Sequence, residues 1–426
     1  MQVLLQITMS LNILSAAFLH SAHSFTFPTR TQLHKHLQKL TSAAGNKSSF
    51  KTISTARCMS TDSSSSVSSI NISRLSTLQT LLQKAGAPGS TSCNIPNDLE
   101  PVSASAVNLD LHPHLYPIAR SSSKPDHYIC GLRRAYADDA LYESSTNAPW
   151  PIVESKVNGM GYNLLSLNSE HMMRRIVAQV DSDRDEGKDT SDSNADAGEL
   201  IDIYNGDLGM GKVDKAFDAL YQPGSVTQLG YGPSKYILLR VGPFPDLYEE
   251  MASQHSARND ESSSLIAAEA SNGKFTGFGS TFRFYAELLN SFPNRQEEAK
   301  DAARVCLRLP LPSIGMHEED FIRVSEMAGL PSLSSSTPKP PSGKEEAMMR
   351  MEEMYEKIKA HEEEDEQAKA NMTPEQMAIE DANKLLDRMV FESDRRWSSL
   401  RKELGSIYGS AGLDEMASFV DPSRSS

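Results

Sequence analysis

The apolar residues between Lys274 and Leu330 recur at the spacing of an amphipathic helix. They lie three or four positions apart, as a helix with one buried face requires, at Phe282, Tyr285, Leu288 and Leu289. Pro293 can open a second helix, because a proline at the first helical position loses no hydrogen bond. Pro310 and Pro312 end that helix, since neither residue can donate a backbone hydrogen bond. The stretch therefore predicts a pair of packed helices.

Similar patterns predict further helices before this stretch. Ser169 is expected to cap the helix that begins at Glu170, because a serine hydroxyl can accept a bond from the first helical turn. The segment GPFPDLY (242–248) is interpreted as an exposed aromatic turn before the next helix. The other expected helices cover residues 75–84, 127–144, 170–180, 199–205, 212–221, 243–258 and 261–271.

Strand signals are fewer. The runs VES and NLLSL flank KVNGMGY, in which Asn158 and Gly159 suit a tight turn with positive φ, so they predict a hairpin. The run KYILLRV (235–241) has the strongest strand pattern in the chain. The sequence therefore predicts a mainly α protein with a minor β element, that is, an α+β fold.

The C-terminal region reads as a series of charged helices. A stripe of Met348, Met351, Tyr355 and Ile358 predicts one amphipathic helix. Thr373 and Gln376 form a capping-box pair around Pro374, which predicts the start of another. Its apolar face is expected to hold Ala378, Ala382, Leu385, Leu386 and Met389. A helical hairpin is then expected, with its first helix ending at Gly409.

These signals divide the chain into six segments. A mainly helical core is expected at 122–330, with an acidic, unpacked loop at 181–198, and a helical C-terminal region at 345–420. A linker rich in proline and serine at 331–344 joins the two, because such composition does not pack. The remaining segments are a signal peptide at 1–24, a transit peptide at 25–61 and a disordered linker at 62–121.

The charge is distributed unevenly. The chain has a formal net charge of −14, yet no acidic residue precedes Asp62. Without the first 61 residues, 36 basic and 56 acidic residues remain. A chain this acidic and without a basic cluster would repel a phosphate backbone, so we expect no nucleic-acid partner.

The N-terminal segment is interpreted as a targeting signal. The apolar run from Val3 to Phe18 has the length of a signal-peptide h-region and is short for a membrane span. Ala22 and Ser24 then offer a cleavage site before Phe25, and a basic segment rich in hydroxyl groups follows. A signal peptide and a transit peptide beginning with Phe resemble the bipartite plastid presequence of diatoms and related algae. The resemblance implies a plastid protein, in the stroma or associated with thylakoids; a mitochondrial presequence is the alternative.

Cysteine usage indicates a reducing compartment. The four cysteines Cys58, Cys93, Cys130 and Cys306 are far apart and form no CxxC pair. A disulfide framework or a zinc site is therefore not expected. Cys130 and Cys306 are interpreted as small buried core residues, with a redox thiol as the alternative.

No motif predicts a catalytic, cofactor or metal site. The segment GDLGMGKV (206–213) resembles a phosphate-binding loop but has Val213 where the magnesium-binding hydroxyl is required. The alternation of Asp181, Asp183 and Asp185 departs from a calcium loop at its sixth and twelfth positions. We interpret the first as a glycine-rich turn and the second as a solvated loop.

Two further groups of polar residues have alternative interpretations. Asp110, His112 and His114 alternate as metal ligands could, but a loop is favoured because no partner helix supplies a further ligand. Arginines occur as two adjacent pairs, Arg133 with Arg134 and Arg174 with Arg175. These pairs could bind an anionic partner surface, but the favoured interpretation is that they lie on solvated helix faces.

Several stretches together resemble a nucleus-encoded plastid protein family of green plants and algae. They lie between His127 and Gly329, in HYICGLRRAYADDALYESSTNAPWPIVES, KYILLRVGPFPDLYE, GKFTGFGSTFRFYAELLNSFPNR and AARVCLRLPLPSIGM. The segment TPEQMAIEDANKLLD in the C-terminal region belongs to the same resemblance. It implies a plastid location and assigns no catalytic residue.

Two functions follow as hypotheses. The first is a plastid factor that binds protein without catalysis and assists assembly or maintenance of photosynthetic complexes. It requires no cofactor and no transmembrane segment in the mature chain, and it is compatible with peripheral association with thylakoids. The second is a plastid enzyme whose site is assembled from scattered residues of the helical core. Its members would be His127, Arg133, Trp150, Arg283 and Tyr285.

Overall fold

The computed structural model describes residues 74–90, 98–102, 110–134, 150–185, 187, 196–209, 220–230, 232–307, 309–315, 318–329, 372–390, 392 and 395–425. Within them, one five-stranded antiparallel sheet is combined with many helices. The predicted α+β class, mainly α with a minor β element, is confirmed.

The five strands are adjacent in chain order, and each pairs antiparallel with the next. Ile118 is an extra residue in the second strand, because Pro117 pairs with Cys130 while Ala119 pairs with Ile129. Such a bulge bends a strand locally and increases its twist. The strands are β1 Leu99–Pro101, β2 Leu115–Ser121, β3 His127–Leu132, β4 Ile152–Lys156 and β5 Tyr162–Ser166.

The predicted hairpin is the β4–β5 unit. Asn158 adopts φ 53° in its turn, as the sequence indicated. The β2–β3 turn is held by Asp98, whose carboxylate accepts bonds from the hydroxyls of Ser121 and Ser123. A backbone bond from the Gly159 amide to the Lys156 oxygen closes the β4–β5 turn, so both turns are fixed by hydrogen bonds.

Helices α1 to α5 cover one face of the sheet. Alternate strand residues contact them, among them Ile129 and Ile152, which are fully buried. Arg74 ties α1 to α2 through two bonds to the Glu170 carboxylate at 2.8 and 2.6 Å. These helices are α1 Leu75–Ala85, α2 Ser169–Asp185, α3 Ala197–Gly209, α4 Ser225–Leu229 and α5 Pro233–Arg240.

The opposite face of the sheet contacts the helical part of the chain. Tyr128, Cys130 and Leu132 of β3 point to this side and pack with Phe275 and Phe278. The two phenylalanines lie between consecutive helices, so this turn of the helical part covers the sheet.

The helical part, as far as residues 245–420 are described, forms one core. Ala303 of the middle helices and Leu386 of the C-terminal helices belong to the same buried cluster. The C-terminal helices therefore share the core of the middle helices. The helices are α6 Pro245–Ala257, α7 Glu261–Lys274, α8 Gly279–Asn290, α9 Gln296–Leu307, α10 Leu311–Ile314, α11 Glu318–Met327, α12 Pro374–Val390, α13 Trp397–Ser410 and α14 Asp414–Val420. A 3₁₀ turn at Pro422–Ser425 follows.

Most of the predicted helices are confirmed. Those expected around residues 75–84, 170–180, 199–205, 243–258 and 261–271 are α1, α2, α3, α6 and α7, and the central helix pair is α8 and α9. The capping box at the start of α12 also forms. The Thr373 amide donates to the Gln376 side chain, and the Gln376 amide donates to the Thr373 hydroxyl.

Two segments have the opposite secondary structure to the prediction. KYILLRV, the expected strand, lies in α5, which begins at Pro233 after Gly232. The start of the expected helix at 127–144 is β3, whose hydrogen bonds to β2 and β4 place it at the centre of the sheet. A run of four apolar residues suits a buried strand and a buried helix equally, so tertiary partners decided both cases.

The expected linker at 62–121 is also wrong where the structure describes it. This range holds α1, β1 and β2, and Leu78, Leu81 and Leu82 are fully buried. The acidic loop at 181–198 begins inside α2, and its first residue Asp181 is buried. The Asp181 carboxylate accepts bonds from the Tyr221 hydroxyl and the Gly224 amide, which explains how an acidic side chain is buried here.

Three local details differ from the prediction. Helix α2 begins at Ser169 itself, and the side chain of Asn168 accepts the His171 amide in its first turn. The GPFPDLY turn is not exposed, since Phe244 and Leu247 are buried. The helix expected from Pro293 begins at Gln296, although Glu297 and Glu298 do occupy its first turn.

The presequence at 1–61, the linker at 331–344, the helix expected around Met348, and Cys58 and Cys93 lie outside the described residues. So does the helix expected at 212–221, apart from Leu220 and Tyr221, neither of which is helical. Among the helices that the structure describes, none combines the length and the apolar character needed to cross a bilayer.

Candidate functional site

The sheet meets the C-terminal helices along one seam, which we define as loop 110–114, turn 157–159 and helix α13. Asp110 begins it, because its carboxylate accepts the backbone amide of Ser398 in the first turn of α13 at 2.9 Å. Its backbone oxygen accepts the Asn158 amide at 2.8 Å. One residue therefore connects the loop to both other elements of the seam.

Side chains of the C-terminal region donate to backbone oxygens of the sheet along the seam. The Trp397 indole donates to Gly159 at 3.1 Å. Arg395 donates to the Asn158 oxygen at 3.0 Å and Arg401 to the Leu111 oxygen at 3.2 Å. Each bond joins groups more than 230 positions apart, so the seam is a long-range contact built on polar groups.

Two histidines lie at the centre of the seam. His112 is 2% exposed and His114 is 6% exposed. The His112 ring contacts the rings of Trp397 at 4.9 Å and Tyr162 at 5.5 Å between centroids. His114 shares a hydrogen bond of 2.8 Å with the Tyr408 hydroxyl. The Nε2 atom of His112 is buried and has no hydrogen-bond partner among the described residues.

The surroundings keep both imidazoles neutral. Burial lowers the pKa of His114 to about 3, and the positive charges of Arg134, Arg401 and Arg133 act in the same direction. Burial likewise holds the pKa of His112 well below its ordinary range, and His114 and the arginines contribute. A proton on either ring would therefore be poorly solvated and repelled.

Arg133 and Trp150 meet beside the seam. The Arg133 guanidinium lies 5.9 Å from the Trp150 ring centroid and 5.2 Å from that of Phe419. It also donates to the Glu415 carboxylate at 3.0 Å. Burial lowers the pKa of Arg133, while Glu415 raises it. Helix α14, which carries both Glu415 and Phe419, is thereby tied to the sheet.

Arg134 extends the seam towards the middle helices. Its guanidinium donates to the Tyr162 hydroxyl at 3.0 Å and to the Gly277 oxygen at 2.8 Å. It lies 4.2 Å from the Phe278 ring centroid. Arg133 is 8% exposed and Arg175 is 4% exposed. The interpretation of these two arginines as solvated helix faces is therefore wrong.

The seam offers structural contacts rather than a metal-binding arrangement. Asp110 caps α13 and His114 bonds to Tyr408, so two of the three groups once considered as ligands have protein partners. The described residues contain no group of three His, Cys, Asp or Glu side chains arranged to hold a metal ion. The interpretation of Asp110, His112 and His114 as a loop agrees with their position between β1 and β2.

The other residues proposed for an enzyme site have separate partners. His127, the first residue of β3, pairs with Asp126 of the preceding turn at 2.8 Å. Arg283 pairs with Glu287 on α8 at 3.2 Å. The Tyr285 hydroxyl donates to Glu269 of α7 at 2.9 Å. Of the five proposed residues, the structure brings Arg133 and Trp150 into contact.

Both described cysteines are core residues, as interpreted. Cys130 and Cys306 are fully buried, and burial raises the pKa of both thiols, that of Cys306 to about 12. The Cys306 thiol donates to the Gly279 oxygen at 3.4 Å. A thiol with a raised pKa forms little thiolate, which is the reactive form.

The two rejected ligand motifs fall in helices where they are described. Gly206 to Gly209, the start of GDLGMGKV, belongs to α3, so the glycine at 206 does not end that helix as expected. Asp181 and Asp185 lie at the end of α2. Asp185 accepts from the Thr227 hydroxyl, which lowers its pKa. The interpretation of these acids as a solvated loop is therefore wrong.

The sequence did not indicate the aromatic residues that form the seam. Trp397 and Tyr408 of α13 lie far from Tyr162 in the chain, and only the fold brings the three rings to the histidines. One signal was present, because a buried Trp needs a hydrogen-bond partner and Trp397 opens an otherwise charged helix. The partner itself is a backbone oxygen and has no sequence signature.

Comparison with known proteins gives two domain matches within the helical part. Residues 245–331 match the model of the PAB middle domain. Residues 351–423 match the model of the PAB C-terminal domain. The first match begins at Pro245, the first residue of α6.

One curated protein shows the similarity over a longer range. Protein IN CHLOROPLAST ATPASE BIOGENESIS, chloroplastic, from Arabidopsis thaliana is 28% identical over 273 residues. The aligned region is 63% of this chain and 69% of the relative. No solved structure matches. The chain is therefore similar to a chloroplastic plant protein and, in its helical part, to the PAB middle and C-terminal domains.

Proposed function

We propose that this chain is a plastid factor that binds protein without catalysing a reaction, and that it assists the biogenesis of the chloroplast ATPase. The observation that carries the proposal is the similarity of 28% over 273 residues to a protein named for that process. The alignment is longer than any one helix pair, so it supports a shared role that is not confined to a single structural element.

The arrangement of the helical part supports this proposal. The segments that match the PAB middle and C-terminal domains contribute to one buried cluster. Asp387 of α12 accepts the backbone amide of Leu311 at 2.9 Å, which joins the two segments through a buried bond. The two matches therefore describe one structural unit that can present a single surface to a partner.

The proposal of a role without catalysis rests on the polar residues of the core. His127, Arg283 and Tyr285 are paired with neighbouring carboxylates, and these pairs stabilise the sheet turn and the helix packing. Arg133 is held between two aromatic rings and Glu415. Within the described part of the chain, these ion pairs, hydrogen bonds and ring contacts stabilise the fold and account for the positions of the four side chains.

We also propose a plastid location, in the stroma or at the thylakoid surface. The relative is named as chloroplastic. The resemblance of the N-terminal segment to a bipartite presequence gives independent support, since it does not depend on the folded part.

Depletion of the chain in its own host tests the proposal. We expect the amount of assembled chloroplast ATPase on native gels to fall, while other photosynthetic complexes keep their amounts. Expression of the full chain from a second locus should restore the ATPase. An unchanged amount of assembled ATPase after complete depletion would contradict the proposed role.

Affinity purification of the tagged chain from plastids tests the binding part separately. ATPase subunits should be enriched over a purification of the untagged strain. Loss of the ATPase on depletion without any such enrichment would favour the alternative, an enzyme acting on the same process.

A further inference from the structure

Both tryptophans of the chain lie at the contact between the sheet and the C-terminal helices. The chain contains two, Trp150 and Trp397. Trp397 is fully buried against His112, and Trp150 contacts Phe419 of α14 at 5.5 Å between ring centroids. Any separation at the seam would therefore change the surroundings of both indoles.

The seam differs from the cores on either side of it. Helix α13 contributes Leu400 and Leu404 to the core of the helical part, and the opposite side of the sheet packs on α1 to α5. Three contacts across the seam are polar bonds to backbone oxygens. Trp397 and Tyr408 belong to the core of the helical part and also face the histidines. Separation at the seam would therefore expose one side of these two rings, while the other members of both cores keep their contacts.

The charged groups around the histidines are arginine cations, together with carboxylates that already have other partners. From β3 and the residues after it, Arg133 and Arg134 face the pair, and from α13 Arg401 does. On the carboxylate side, Asp110 caps α13, Glu415 pairs with Arg133, and Asp421 at the end of α14 interacts with Arg401 and Ser423. The remaining titratable groups are the phenols of Tyr162 on β5 and Tyr408 on α13, and burial raises the pKa of Tyr408.

A protonated histidine pair would consequently be buried beside three arginines, and His112 Nε2 has no acceptor among the described residues. A buried charge without a partner strongly favours any conformation that returns it to water. Separation at the seam returns the pair to water with the smallest loss of other contacts, because the other members of both cores stay packed.

We propose that His112 and His114 make the seam an acid-sensitive contact, so that protonation of the pair separates α13 and α14 from the sheet while the sheet and the helical part stay folded. This inference does not depend on the proposed function.

The sign follows from the neutral state of the folded imidazoles. The folded form binds fewer protons than the separated form between the lowered pKa of about 3 for His114 and the ordinary histidine value near 6.5. The seam is therefore fully stable above pH 6.5 and is progressively weakened as the pH falls below that value.

The fluorescence of single-tryptophan variants of the full chain tests the proposal. In Trp150→Phe, the emission of Trp397 should move to longer wavelength as the pH is lowered from 7 to 4. Far-UV circular dichroism, which reports helix content, should keep its pH 7 value at the midpoint of that change. Coincident fluorescence and circular dichroism transitions would overturn the proposal, because they would indicate global acid unfolding.

Histidine substitutions identify the titrating groups. The double variant His112→Phe/His114→Gln has no imidazole at either position, and its glutamine amide can replace His114 Nε2 beside Tyr408. The fluorescence midpoint should fall by at least about one pH unit. His112→Phe alone keeps the His114–Tyr408 bond and should shift the midpoint in the same direction by less, which provides the measurement if the double variant does not fold.

His127→Gln is the matched control. His127 lies on the same sheet, and its ring pairs with the exposed carboxylate of Asp126, so its loss should leave the midpoint unchanged. An unchanged midpoint in both His112 variants, or an equal shift in His127→Gln, would contradict the assignment to the histidine pair.

Discussion

The indole nitrogen of Trp397 donates a hydrogen bond of 3.1 Å to the backbone oxygen of Gly159, which lies 238 positions earlier in the chain. Trp397 is fully buried, so its ring fills space between the sheet and the C-terminal helices as well. We expect Trp397→Phe to lower the free energy of unfolding by about 2 kcal/mol, from the lost bond and the smaller ring. Urea denaturation measures this change.

Trp150→Phe is the control for the change in ring size. Trp150 is 6% exposed and contacts Arg133 and Phe419. A loss at position 150 as large as that at position 397 would show that ring volume alone, and not the bond to Gly159, accounts for the effect.

The buried pair of Arg74 and Glu170 gives a second prediction. Both side chains are 1% exposed, and Arg74 also donates to the Tyr204 oxygen at 2.6 Å. Glu170→Ala would leave the guanidinium buried without its carboxylate, so we expect a loss of about 3–5 kcal/mol in the free energy of unfolding. Glu199→Ala removes the exposed partner of Lys84 and should cost less than about 1 kcal/mol. Equal costs would show that α1 is not an integral part of the fold.

The hydrogen bond between Asp387 and Leu311 gives a third prediction. The Asp387 carboxylate accepts the amide at the start of α10, where a helix leaves its first amides without internal partners. We expect Asp387→Ala to cost about 1–2 kcal/mol. Asp381→Ala on the exposed side of the same helix is the comparison and should change the thermal midpoint little. If both substitutions have the same effect, the bond between the two matched segments contributes nothing to the stability of the fold.

Glu249 predicts an unusual pH dependence near neutrality. Burial raises the pKa of this carboxyl to about 7; Arg283 opposes the shift, and Asp246 and Glu287 add to it. The folded form binds more protons than the unfolded form between the ordinary glutamate value and pH 7, so stability falls as the pH rises through this window. We expect Glu249→Gln to be more stable than the natural chain at pH 8, by at most about 3 kcal/mol, and to match it at pH 5.

Thermal melts at the two pH values measure this difference. Glu250→Gln, a change at the exposed neighbouring position, is the control and should behave like the natural chain at both pH values. A difference for Glu249→Gln that is the same at pH 5 and pH 8 would rule out titration of Glu249 as its cause.

The location can be tested apart from the folded part. A fluorescent fusion of residues 1–65 should enter the plastid of a diatom-like host. Phe25→Ala should stop the fusion outside the inner plastid membranes, because the resemblance assigns the import signal to this position. Mitochondrial fluorescence from the unchanged fusion would contradict the plastid location.

The sequence indicated helices well where apolar residues recur over three turns or more. Helices α8, α9 and α12 are examples, and the Thr373 capping box even fixed the start of α12. The sequence did not indicate helix α5, because Tyr236 and Ile237 belong to a short apolar run that does not repeat at helical spacing over a second turn. The start signal was the Gly232–Pro233 pair, since proline at the first helical position is favourable.

The strand β3 shows a different reason for failure. Its residues alternate between two buried faces, Ile129 towards α1 to α5 and Cys130 towards Phe275 and Phe278. A strand that is buried on both sides has no polar face, so the alternation disappears from the sequence. Only its pairing with β2 and β4 determines the strand.

The candidate site was the least predictable part. Asp110, His112 and His114 were recognised as a group, but their partners come from α13 and β5. These contacts are single long-range pairs without periodicity, and several end on backbone oxygens, which any residue could supply. Local sequence therefore identified the loop and could not indicate what covers it.

Helix α10 meets the sheet and the start of α8 through backbone atoms, and three glycines permit these approaches. A Cβ atom at Gly161 would collide with the Pro312 oxygen, and one at Gly315 with the Tyr162 oxygen. At Gly279 it would lie 2.7 Å from the Ile314 Cα atom, and Gly315 also needs its positive φ of 62°. A chain that keeps this junction must therefore keep three glycines, however far the remainder of its sequence diverges.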